Sequence, residues 1–404
     1  MRIGLLLLTV ASLGISCSKA SSDQEDPAVP PVDGKVVTTP TKLVPLAEYP
    51  TFNDDYALRG MKLAIARQIK RFDQKNMTGT IKLGSKTYKL TKMKTSLQLF
   101  TALISEFERC AAREPIANCF KDFNADIRRQ FDVYIPNLVA GDPRFGEPDW
   151  AMFTGYHTMP IEGKAKKDAE FAHAVYANPN NAALNFSRVE IDFMDKLAGK
   201  GLELLYTKNL FDIYLLHVQG SGKATLLNSD GSKSGYYLNY DGTNKQTWAW
   251  ISKHMLAKGY ITNGSIPAQR KFLREHPELQ QEIFATCPSY VFTRITTEPP
   301  MGSDSAPVTD NRSIAQDSGL YAFKGLLAYV EASRPLENGN YDLEQEDSSK
   351  VQFQPFQRFF LDQDTGGAIK GKGRADIYFG EDSYAQFSAM NMKQTGKIYY
   401  MMAK

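Results

Sequence analysis

Hydrophobic residues recur every three or four positions in two early stretches of the chain, and this spacing predicts amphipathic helices. The first helix is predicted over 54–73, with Asp54 as its capping residue. The second is predicted over 92–113, and Pro115 stops it. Their apolar positions are Leu58, Met61, Leu63, Ile65 and Ile69 in the first and Leu97, Phe100, Leu103, Ile104 and Phe107 in the second.

The rest of the chain mixes the two periods. Residues 131–153 are typical of short strands and turns, and apolar runs predict strands at 201–206 and 211–219. After residue 300 apolar and polar positions alternate, around 351–361 and 374–379, with glycine-rich bends between them. The pattern therefore predicts an α+β chain that is mainly β. Helical segments are also predicted near 167–176, 190–198, 246–258 and 275–285.

Composition narrows the function classes. The 404 residues are 42% hydrophobic and 23% charged, which excludes a wholly disordered or collagenous chain. No apolar run long enough to span a bilayer follows residue 20, which excludes an integral helical bundle. The 48 basic and 45 acidic residues leave a net charge of +3 with no long basic block, so no nucleic-acid partner is predicted. The four cysteines fit no zinc spacing, and neither a metal nor another cofactor is predicted.

The N-terminus has the organisation of a secretory signal. Residues 1–16 contain one charge, at Arg2, an apolar stretch and small residues before Cys17. The sequence Leu13-Gly14-Ile15-Ser16-Cys17 resembles a bacterial lipoprotein cleavage box, in which Cys17 becomes the acylated first residue, although Gly14 departs from the usual branched residue. The alternative is an ordinary signal cut nearby, with Cys17 an unpaired thiol. Residues 17–45 are rich in Ser, Pro and acidic residues, which is typical of a flexible tether behind the lipid.

The other three cysteines would lie in an oxidising envelope if the lipid interpretation holds. Cys110 and Cys119, on either side of Pro115, could then close a small disulfide. They could equally be small buried hydrophobic residues, which is the commoner fate of a free cysteine. Cys287 is predicted to remain unpaired in either case.

The densest chemical signal is the glycine-rich segment 364–380. If 374–379 is a strand, Arg374, Asp376 and Tyr378 share one face, opposite an apolar face. An acid beside a base and a phenol could form a carbohydrate site, because a carboxyl held protonated can donate to a glycosidic oxygen. The competing interpretation is a polar hairpin with a surface salt bridge. A dinucleotide site is excluded, since the glycines do not follow the GxGxxG spacing.

A second cluster is the predicted strand 215–219 and the Gly-Ser-Gly turn after it. Gln219 and Ser221 would stand beside bare backbone and could bond sugar hydroxyls and N-acetyl groups, although the segment could be a hairpin turn alone. His217, two positions earlier, would share the face of Gln219, either as a hydrogen-bonding group or as a structural histidine. The GxSxG elbow of serine hydrolases is missing.

The order of motifs resembles the membrane-bound lytic transglycosylase A family. FTGY, LHVQGSG, PSYVF, RSIA and DTGGAIKG followed by GRADIYFG occur in turn, and the resemblance covers about residues 150–400. The family implies a double-psi β-barrel built from 46–158 and 300–404, an inserted smaller β-rich domain over 159–299, and a glycan groove between them. It implies an envelope enzyme that cleaves the β-1,4 bond between N-acetylmuramic acid and N-acetylglucosamine and leaves a 1,6-anhydro end.

The family's functional residues carry over by motif. The resemblance implies that Asp376 is the catalytic acid and base and that Asp364 supports it. It also places substrate contacts at Thr154, Tyr156, Gln219, Ser221 and Lys370, to which the strand-face argument adds Arg374 and Tyr378. Departures from the family occur at His157, where a second tyrosine is usual, and at Cys287, where Asn is common.

The reaction that the resemblance implies sets an expectation for the pKa of the catalytic aspartate. The nucleophile is the C6 hydroxyl of the sugar, so one aspartate suffices, and it must be protonated in the resting complex. Burial or a nearby carboxylate such as Asp364 would raise the pKa of this aspartate. Lys370 or Arg374 close to it would lower that pKa, so both are expected to point at substrate oxygens or solvent.

The implied partners are peptidoglycan strands, the outer membrane through a lipid anchor facing the periplasm of a Gram-negative cell, and cell-wall enzyme complexes. The alternatives are a non-catalytic peptidoglycan-binding lipoprotein and a true hydrolase with a second carboxylate.

Overall fold

The computed structural model describes residues 36–138 and 150–404, and within these ranges the chain forms nine α-helices and seventeen β-strands. The helices are α1 (Met61–Asp73), α2 (Thr91–Ala111), α3 (Ile116–Gln130), α4 (Arg188–Asp192), α5 (Leu210–Gln219), α6 (Ile251–Ala257), α7 (Ile266–Glu275), α8 (Gln280–Ala285) and α9 (Ser383–Asn391). The strands are β1 (Val36–Thr39), β2 (Thr41–Leu43), β3 (Thr80–Leu83), β4 (Lys86–Lys89), β5 (Phe131–Pro136), β6 (Ala151–Tyr156), β7 (Met159–Gly163), β8 (His173–Tyr176), β9 (Glu203–Thr207), β10 (Ser221–Leu227), β11 (Lys233–Thr243), β12 (Val291–Thr296), β13 (Ser313–Ala315), β14 (Leu327–Pro335), β15 (Phe353–Asp364), β16 (Arg374–Tyr378) and β17 (Lys393–Ala403).

Six strands close into a barrel in the order β14, β15, β13, β16, β6 and β17, and β17 returns to β14. Strands β6 and β16 run parallel at its centre, with Thr154 opposite Asp376. The predicted alternation along β16 is confirmed for its apolar side, since Ala375 and Ile377, together with Phe379 just after the strand, lie in the hydrophobic core. Period-two alternation thus fixes which side chains of β16 point away from that core.

Helices α1, α2 and α3 pack against the barrel. Phe100 on α2 contacts Phe359 on β15, with ring centroids 4.9 Å apart, and it meets Phe123 on α3 at 5.7 Å. Helix α3 was not predicted, although Phe120, Phe123 and Ile127 recur at helical spacing after Pro115. A disulfide between Cys110 and Cys119 joins α2 to α3, while Cys287 is free and buried.

The chain between the two halves of the barrel builds a second hydrophobic core. Its four-stranded sheet has the order β12, β11, β10 and β7, and its buried apolar residues come from 159–292. The barrel core uses 44–153 and 314–403 instead. The predicted fold class, α+β with a barrel and an inserted smaller domain, is confirmed by this arrangement.

The strand predicted at 211–219 is wrong, because these residues lie in helix α5. Asn209 caps the helix by accepting a hydrogen bond from the backbone N–H of Asp212 at 2.9 Å, and Gly220 ends it with φ of 78°. The helix is apolar on almost every side since the second core surrounds it. A continuous apolar run does not separate a buried strand from a buried helix, so the residue pattern was ambiguous here.

The start of the first helix was also predicted wrongly. Helix α1 begins at Met61, and Asp54 is not its cap; residues 55–60 form turns. The carboxylate of Asp54 instead accepts the backbone N–H groups of Tyr56 and Leu58 at 3.0 Å each and pairs with Arg312. A residue typical of helix caps is here the centre of a buried polar cluster.

The helix predicted near 167–176 is absent from the structure, which has strand β8 at its end. Besides α3, helices α7 and α9 were not predicted. Ser265 caps α7, and Asp382 caps α9 by accepting the N–H of Ala385 at 2.8 Å. Across the described ranges, no helix combines the length and hydropathy needed to cross a membrane.

Candidate active site

The candidate site lies on the parallel strands β6 and β16. The hydroxyl of Thr154 donates a hydrogen bond to Oδ1 of Asp376, which stands opposite it. Nη2 of Arg374 donates to the Thr154 hydroxyl at 3.1 Å and to the same Oδ1 at 3.3 Å. Both bonds to Asp376 thus fall on Oδ1, and no group in the described part of the chain donates to Oδ2. One carboxyl oxygen is held and the other is available to a ligand.

Burial raises the pKa of Asp376 above its ordinary value, while the hydrogen bond from Thr154 and the charge of Arg374 act in the opposite direction. Its side chain is 21% exposed, so it reaches solvent from a largely dry environment. The raised pKa matches the electrostatic expectation, and its main cause is burial. The expected position of Arg374 is wrong, because this residue pairs with Asp376 and does not point away from it.

Asp364, at the end of β15, is held by three donors. Its Oδ1 accepts the backbone N–H groups of Thr365 at 2.8 Å and Ser303 at 2.9 Å, and its Oδ2 accepts the Tyr156 hydroxyl at 3.0 Å. Burial raises the pKa of Asp364, and these three bonds act against that rise. Burial and the charge of Asp364 raise the pKa of Tyr156 well above its ordinary value, so the Tyr156 hydroxyl keeps its proton and remains a hydrogen-bond donor. The two carboxylates are linked through strand β6, which carries both Thr154 and Tyr156.

Tyr378 continues the face of β16 beyond Asp376. Its ring lies 5.2 Å from that of Tyr156, centroid to centroid, and its hydroxyl shares a 2.6 Å hydrogen bond with the Thr158 hydroxyl. Tyr378 is almost fully buried, so we do not expect its hydroxyl to bond a ligand, and its ring packs within the site. Thr158 lies where the chain leaves the barrel for the second core.

The second core contributes to the junction beside this face. Oε1 of Gln219 accepts the backbone N–H of His157 at 3.0 Å, and Ser221 is buried at the start of β10. Across the same junction Nζ of Lys223 donates to Glu381 at 2.7 Å, and the Tyr237 hydroxyl donates to the same carboxylate at 3.2 Å. Gln219 and Ser221 therefore lie where the two cores meet, and Gln219 ties them together.

The two histidines of interest have structural environments. His157 is buried, and burial lowers its pKa to about 4. His217 does not share the face of Gln219, because two residues apart on a helix point in different directions. Its Nδ1 lies 2.9 Å from Nη2 of Arg188, its ring packs on Tyr290, and burial keeps its pKa well below the ordinary value.

The remaining predicted residues are not brought to Asp376. Lys370 is exposed in the loop between β15 and β16. Cys17 lies outside the described residues. Cys110 and Cys119 belong to helices α2 and α3 and form a disulfide with each other. Among the described residues no group of three His, Cys, Asp or Glu side chains could hold a metal ion.

Asp317 is a site residue that was not identified from the sequence. Its Oδ2 accepts the backbone N–H of Gly371 at 2.8 Å, and its Oδ1 accepts that of Gly319 at 3.0 Å. It thereby fixes the glycine-rich loop that leads into β16, at a glycine with φ of 101°. The available signal was its place two residues after Ala315, at the end of the RSIA motif.

Two family models match the chain, one in the inserted domain and one in the second barrel segment. Residues 181–294 match the family described as MltA specific insert domain, and residues 312–402 match the 3D domain. The membrane-bound lytic murein transglycosylase A of Vibrio cholerae is 29% identical over 275 residues, which are 67% of this chain and 69% of that protein. The protein of the same name from Escherichia coli K12 is 28% identical over 284 residues, 65% of this chain and 72% of its own length.

Solved structures share the fold. The E. coli MltA crystal structure with bound chitohexaose has a TM-score of 0.65 at 23% identity and covers 90% of this chain and 94% of its own. The membrane-bound lytic murein transglycosylase of Agrobacterium tumefaciens has a TM-score of 0.66 at 20% identity, covering 90% and 97%. At these identities the likeness establishes the barrel with its inserted domain as the common fold.

Proposed function

The chain belongs to the membrane-bound lytic transglycosylase A family, and on that premise we propose that it is a lytic murein transglycosylase. It cleaves the β-1,4 bond between N-acetylmuramic acid and N-acetylglucosamine in peptidoglycan. The product carries a 1,6-anhydro ring on the muramic sugar. The observation that carries this proposal is the Asp376 carboxyl, whose pKa is raised by burial and whose Oδ2 accepts no hydrogen bond from the residues that the structure describes.

One carboxyl can move both protons of the reaction. Protonated Asp376 donates to the glycosidic oxygen as the bond to the muramic C1 breaks, and the departing sugar leaves as an alcohol. The C6 hydroxyl of the same muramic residue then attacks C1, and the Asp376 carboxylate accepts its proton. The carboxyl is thereby returned to its starting state with no water consumed. Oδ2 is the oxygen assigned to both transfers, because Oδ1 is occupied by Thr154 and Arg374.

Asp364 has a supporting role in this proposal. Three donors bind the Asp364 carboxylate, two at Oδ1 and the Tyr156 hydroxyl at Oδ2, so most of its capacity to accept hydrogen bonds serves the protein and not a water nucleophile. Those bonds hold the end of β15 and orient the Tyr156 hydroxyl beside the glycan. The arrangement favours transglycosylation over hydrolysis, in which a second carboxylate would be required.

The remaining predicted residues are assigned to the glycan. Thr154 orients Asp376, and the rings of Tyr156 and Tyr378 line the face beside it. Gln219 and Ser221 face the same glycan from the second domain. Lys370 is assigned to substrate oxygens because it is exposed on the loop next to β16. The division into barrel segments 46–158 and 300–404 and an insert at 159–299 belongs to the same proposal.

The direct test is digestion of purified sacculi, with mass analysis of the soluble products. Muropeptides with 1,6-anhydro ends are expected from the parent protein and not from Asp376→Asn, which keeps the shape of the side chain but has no proton to donate. Reducing muramic ends would identify a hydrolase. Absence of soluble products from the folded parent protein would identify a non-catalytic peptidoglycan-binding protein.

The proposed location is the periplasmic face of the outer membrane. It rests on the cleavage box that ends at Cys17, and the curated relatives are named membrane-bound. Cys17→Ala is expected to abolish incorporation of labelled fatty acid and to release the folded body from membranes. The matched control is Cys287→Ala, which removes a buried thiol and should leave labelling intact. Fatty acid in Cys17→Ala would move the anchor to another residue.

A further inference from the structure

The ion pair between Arg374 and Asp376 conflicts with the role of Asp376 as a proton donor. A guanidinium 3.3 Å from a carboxylate stabilises its ionised form, and the acid step requires the neutral form. Burial favours the neutral form, and the pair opposes it. The pair with Arg374 therefore works against the state that can donate, and it would cease to do so if Arg374 changed partner when the glycan binds.

Arg374 has the capacity to change partner. Among the described residues only Nη2 has partners, Thr154 and Asp376, and Nε is buried without one. A guanidinium carries five donors and can bind a carboxylate with two parallel bonds. Its side chain is 24% exposed, so a ligand bound beside β16 can reach it. A second carboxylate would satisfy donors that Asp376 does not.

Other ionisable groups near Asp376 do not substitute for Arg374. Across the neighbouring strands the face carries Tyr156 on β6 and Lys393 on β17, which lies opposite Thr154. Asp364 is bound to Tyr156 at the end of β15, and β13 places the apolar Ala315 beside Asp376. Lys393 is exposed, and Arg374 is the only cation that bonds Asp376 in the described structure.

We infer that Arg374 pairs with Asp376 in the free enzyme and transfers to a carboxylate on the O3 substituent of the muramic residue when the glycan binds, so that Asp376 takes up a proton from solvent. This inference rests on the proposed function and assigns to Arg374 the recognition of an anionic glycan. The charges balance: the pair Arg⁺ Asp⁻ with a ligand carboxylate and one proton becomes a neutral Asp and a new pair between Arg⁺ and the ligand. A neutral glycan leaves Asp376 ionised and the enzyme slow.

The direct test is proton uptake on binding, measured by calorimetry in buffers of different ionisation enthalpy. The probe is an alternating tetrasaccharide with 6-deoxymuramic residues, which lacks the C6 nucleophile and is not turned over. With free lactyl carboxylates it should draw in a fraction of a proton that is largest between the midpoint of Asp376 in the free enzyme and its higher midpoint in the complex. The same tetrasaccharide with lactyl methylamides, and chitohexaose, should draw in none.

A fourth ligand locates the anion. The lactyl groups are joined to a dipeptide of L-Ala and D-Glu, which moves the carboxylates to the peptide stem. Uptake with this ligand assigns the anion to a carboxylate of the peptide stem, and uptake with the free lactyl form alone assigns it to the lactyl carboxylate. Equal uptake with the neutral ligands, or none with any ligand, overturns the inference.

Variants distinguish the effect of the Arg374–Asp376 ion pair from the effect of any positive charge on the same face. Arg374→Gln should abolish uptake, Arg374→Lys should restore part of it, and Lys393→Gln removes a positive charge on the same face and should leave it unchanged. In pH–rate profiles Arg374→Gln should move the alkaline limb of kcat/KM upward and leave that of kcat in place, because only the free enzyme has the pair. Equal movement of both limbs means that Arg374 stays on Asp376, which contradicts the inference.

Failure of this inference differs from failure of the proposed function. If Asp376→Asn is inactive and the products carry 1,6-anhydro ends, absent proton uptake rejects only the partner change. If Asp376→Asn digests sacculi normally, the acid assignment itself is wrong, whatever the calorimetry gives.

Discussion

Two arginine–aspartate pairs in the barrel have the same chemistry and opposite environments. Arg312 and Asp54 are both fully buried, and Nη1 and Nη2 of the arginine bind the two carboxylate oxygens at 2.6 and 2.9 Å. Arg374 and Asp376 are 24% and 21% exposed and share one contact at 3.3 Å. Arg312 uses four of its five N–H groups and both oxygens of Asp54 accept bonds, while within the described residues Nε of Arg374 is buried without a partner and Oδ2 of Asp376 accepts no bond.

The difference lies in how completely each group is satisfied. Nε of Arg312 donates to the carbonyl of Arg59 at 2.7 Å, and Nη1 also donates to that of Phe359 at 2.9 Å. Buried charges persist only when neighbours replace the water they lose, and Arg312 and Asp54 meet that condition. The pair at Asp376 does not meet it, and an incompletely satisfied ionisable group in a cleft is typical of a functional site. The extent of hydrogen bonding therefore distinguishes the structural pair from the pair that we propose to be reactive.

The largest expected effect is that replacing Asp376 lowers activity with little change in stability, whereas replacing Asp54 lowers stability. Asp376→Asn should lower turnover about 10²- to 10⁴-fold, the usual range for lost proton transfer, and change stability by no more than about 0.5 kcal/mol. Asp54→Asn should destabilise the fold by about 3–5 kcal/mol because it leaves Arg312 buried and unpaired. Urea unfolding and sacculus digestion of both variants provide the two measurements.

The comparison breaks if the two variants behave alike. A loss of several kcal/mol in Asp376→Asn would show that this pair is also structural. If Asp54→Asn does not fold, Arg312→Lys keeps the charge and tests the same cluster more mildly. Folded Asp54→Asn protein with normal stability would show that saturation of the bonds does not measure their contribution.

A second prediction extends the comparison to Asp364, a carboxylate bound by three donors and linked to the proposed acid Asp376 through strand β6. Asp364→Asn should lower activity about 10- to 150-fold, corresponding to loss of hydrogen bonds worth about 1.5–3 kcal/mol to a charged group. Its acid limb should shift, since burial raises the pKa of the Asp364 carboxyl and Asn does not titrate. Products should keep 1,6-anhydro ends. Reducing muramic products from the parent, lost in this variant, would make Asp364 a water-activating base.

A third prediction concerns Thr154, the neutral member of the reactive cluster. Thr154→Val removes a bond that favours ionised Asp376, so the pKa of this carboxyl should rise and the alkaline limb of the rate profile should move to higher pH. Turnover at the optimum should change less than about tenfold. The matched control is Thr158→Val, which removes the bond to Tyr378 and should leave that limb in place. A downward shift in Thr154→Val would contradict the assigned direction of the bond.

The smallest effect is a pH dependence of stability. Burial raises the pKa of Asp376 in the folded state above its ordinary value of 3.8, so the folded protein binds more protons than the unfolded chain between these two values. The contribution of Asp376 to stability therefore declines as the pH rises through that window and is constant above it. The stability of Asp376→Asn relative to the parent should rise over the same range in urea titrations. A relative stability that falls with rising pH would reverse the sign.

The local spacing of hydrophobic residues and the order of short motifs were enough to predict several features of this chain. Alternation along 374–379 separates the apolar side of β16 from the side that carries Asp376, because successive side chains on a strand point to opposite faces. Helix α2 followed from its 3.6-residue spacing. The order of short motifs identified the family and with it the barrel and its insert, and the leader ending at Cys17 stays a prediction. These features depend on neighbours in the chain.

Tertiary structure decided what depends on distant partners. Helix α5 is apolar on most sides because a second core surrounds it, so its period carried no information. Asp54 was predicted as a helix cap because its partner, Arg312, lies 258 residues further along the chain. Asp317 reaches Gly371 across 54 residues.

Arg374 and Asp376 are two residues apart, yet only the fold turned both toward Thr154. Alternation could place them on one face of β16, but not in contact. Whether neighbouring charges pair or point apart depends on the dielectric and the hydrogen-bond donors around them, and those are properties of the assembled barrel.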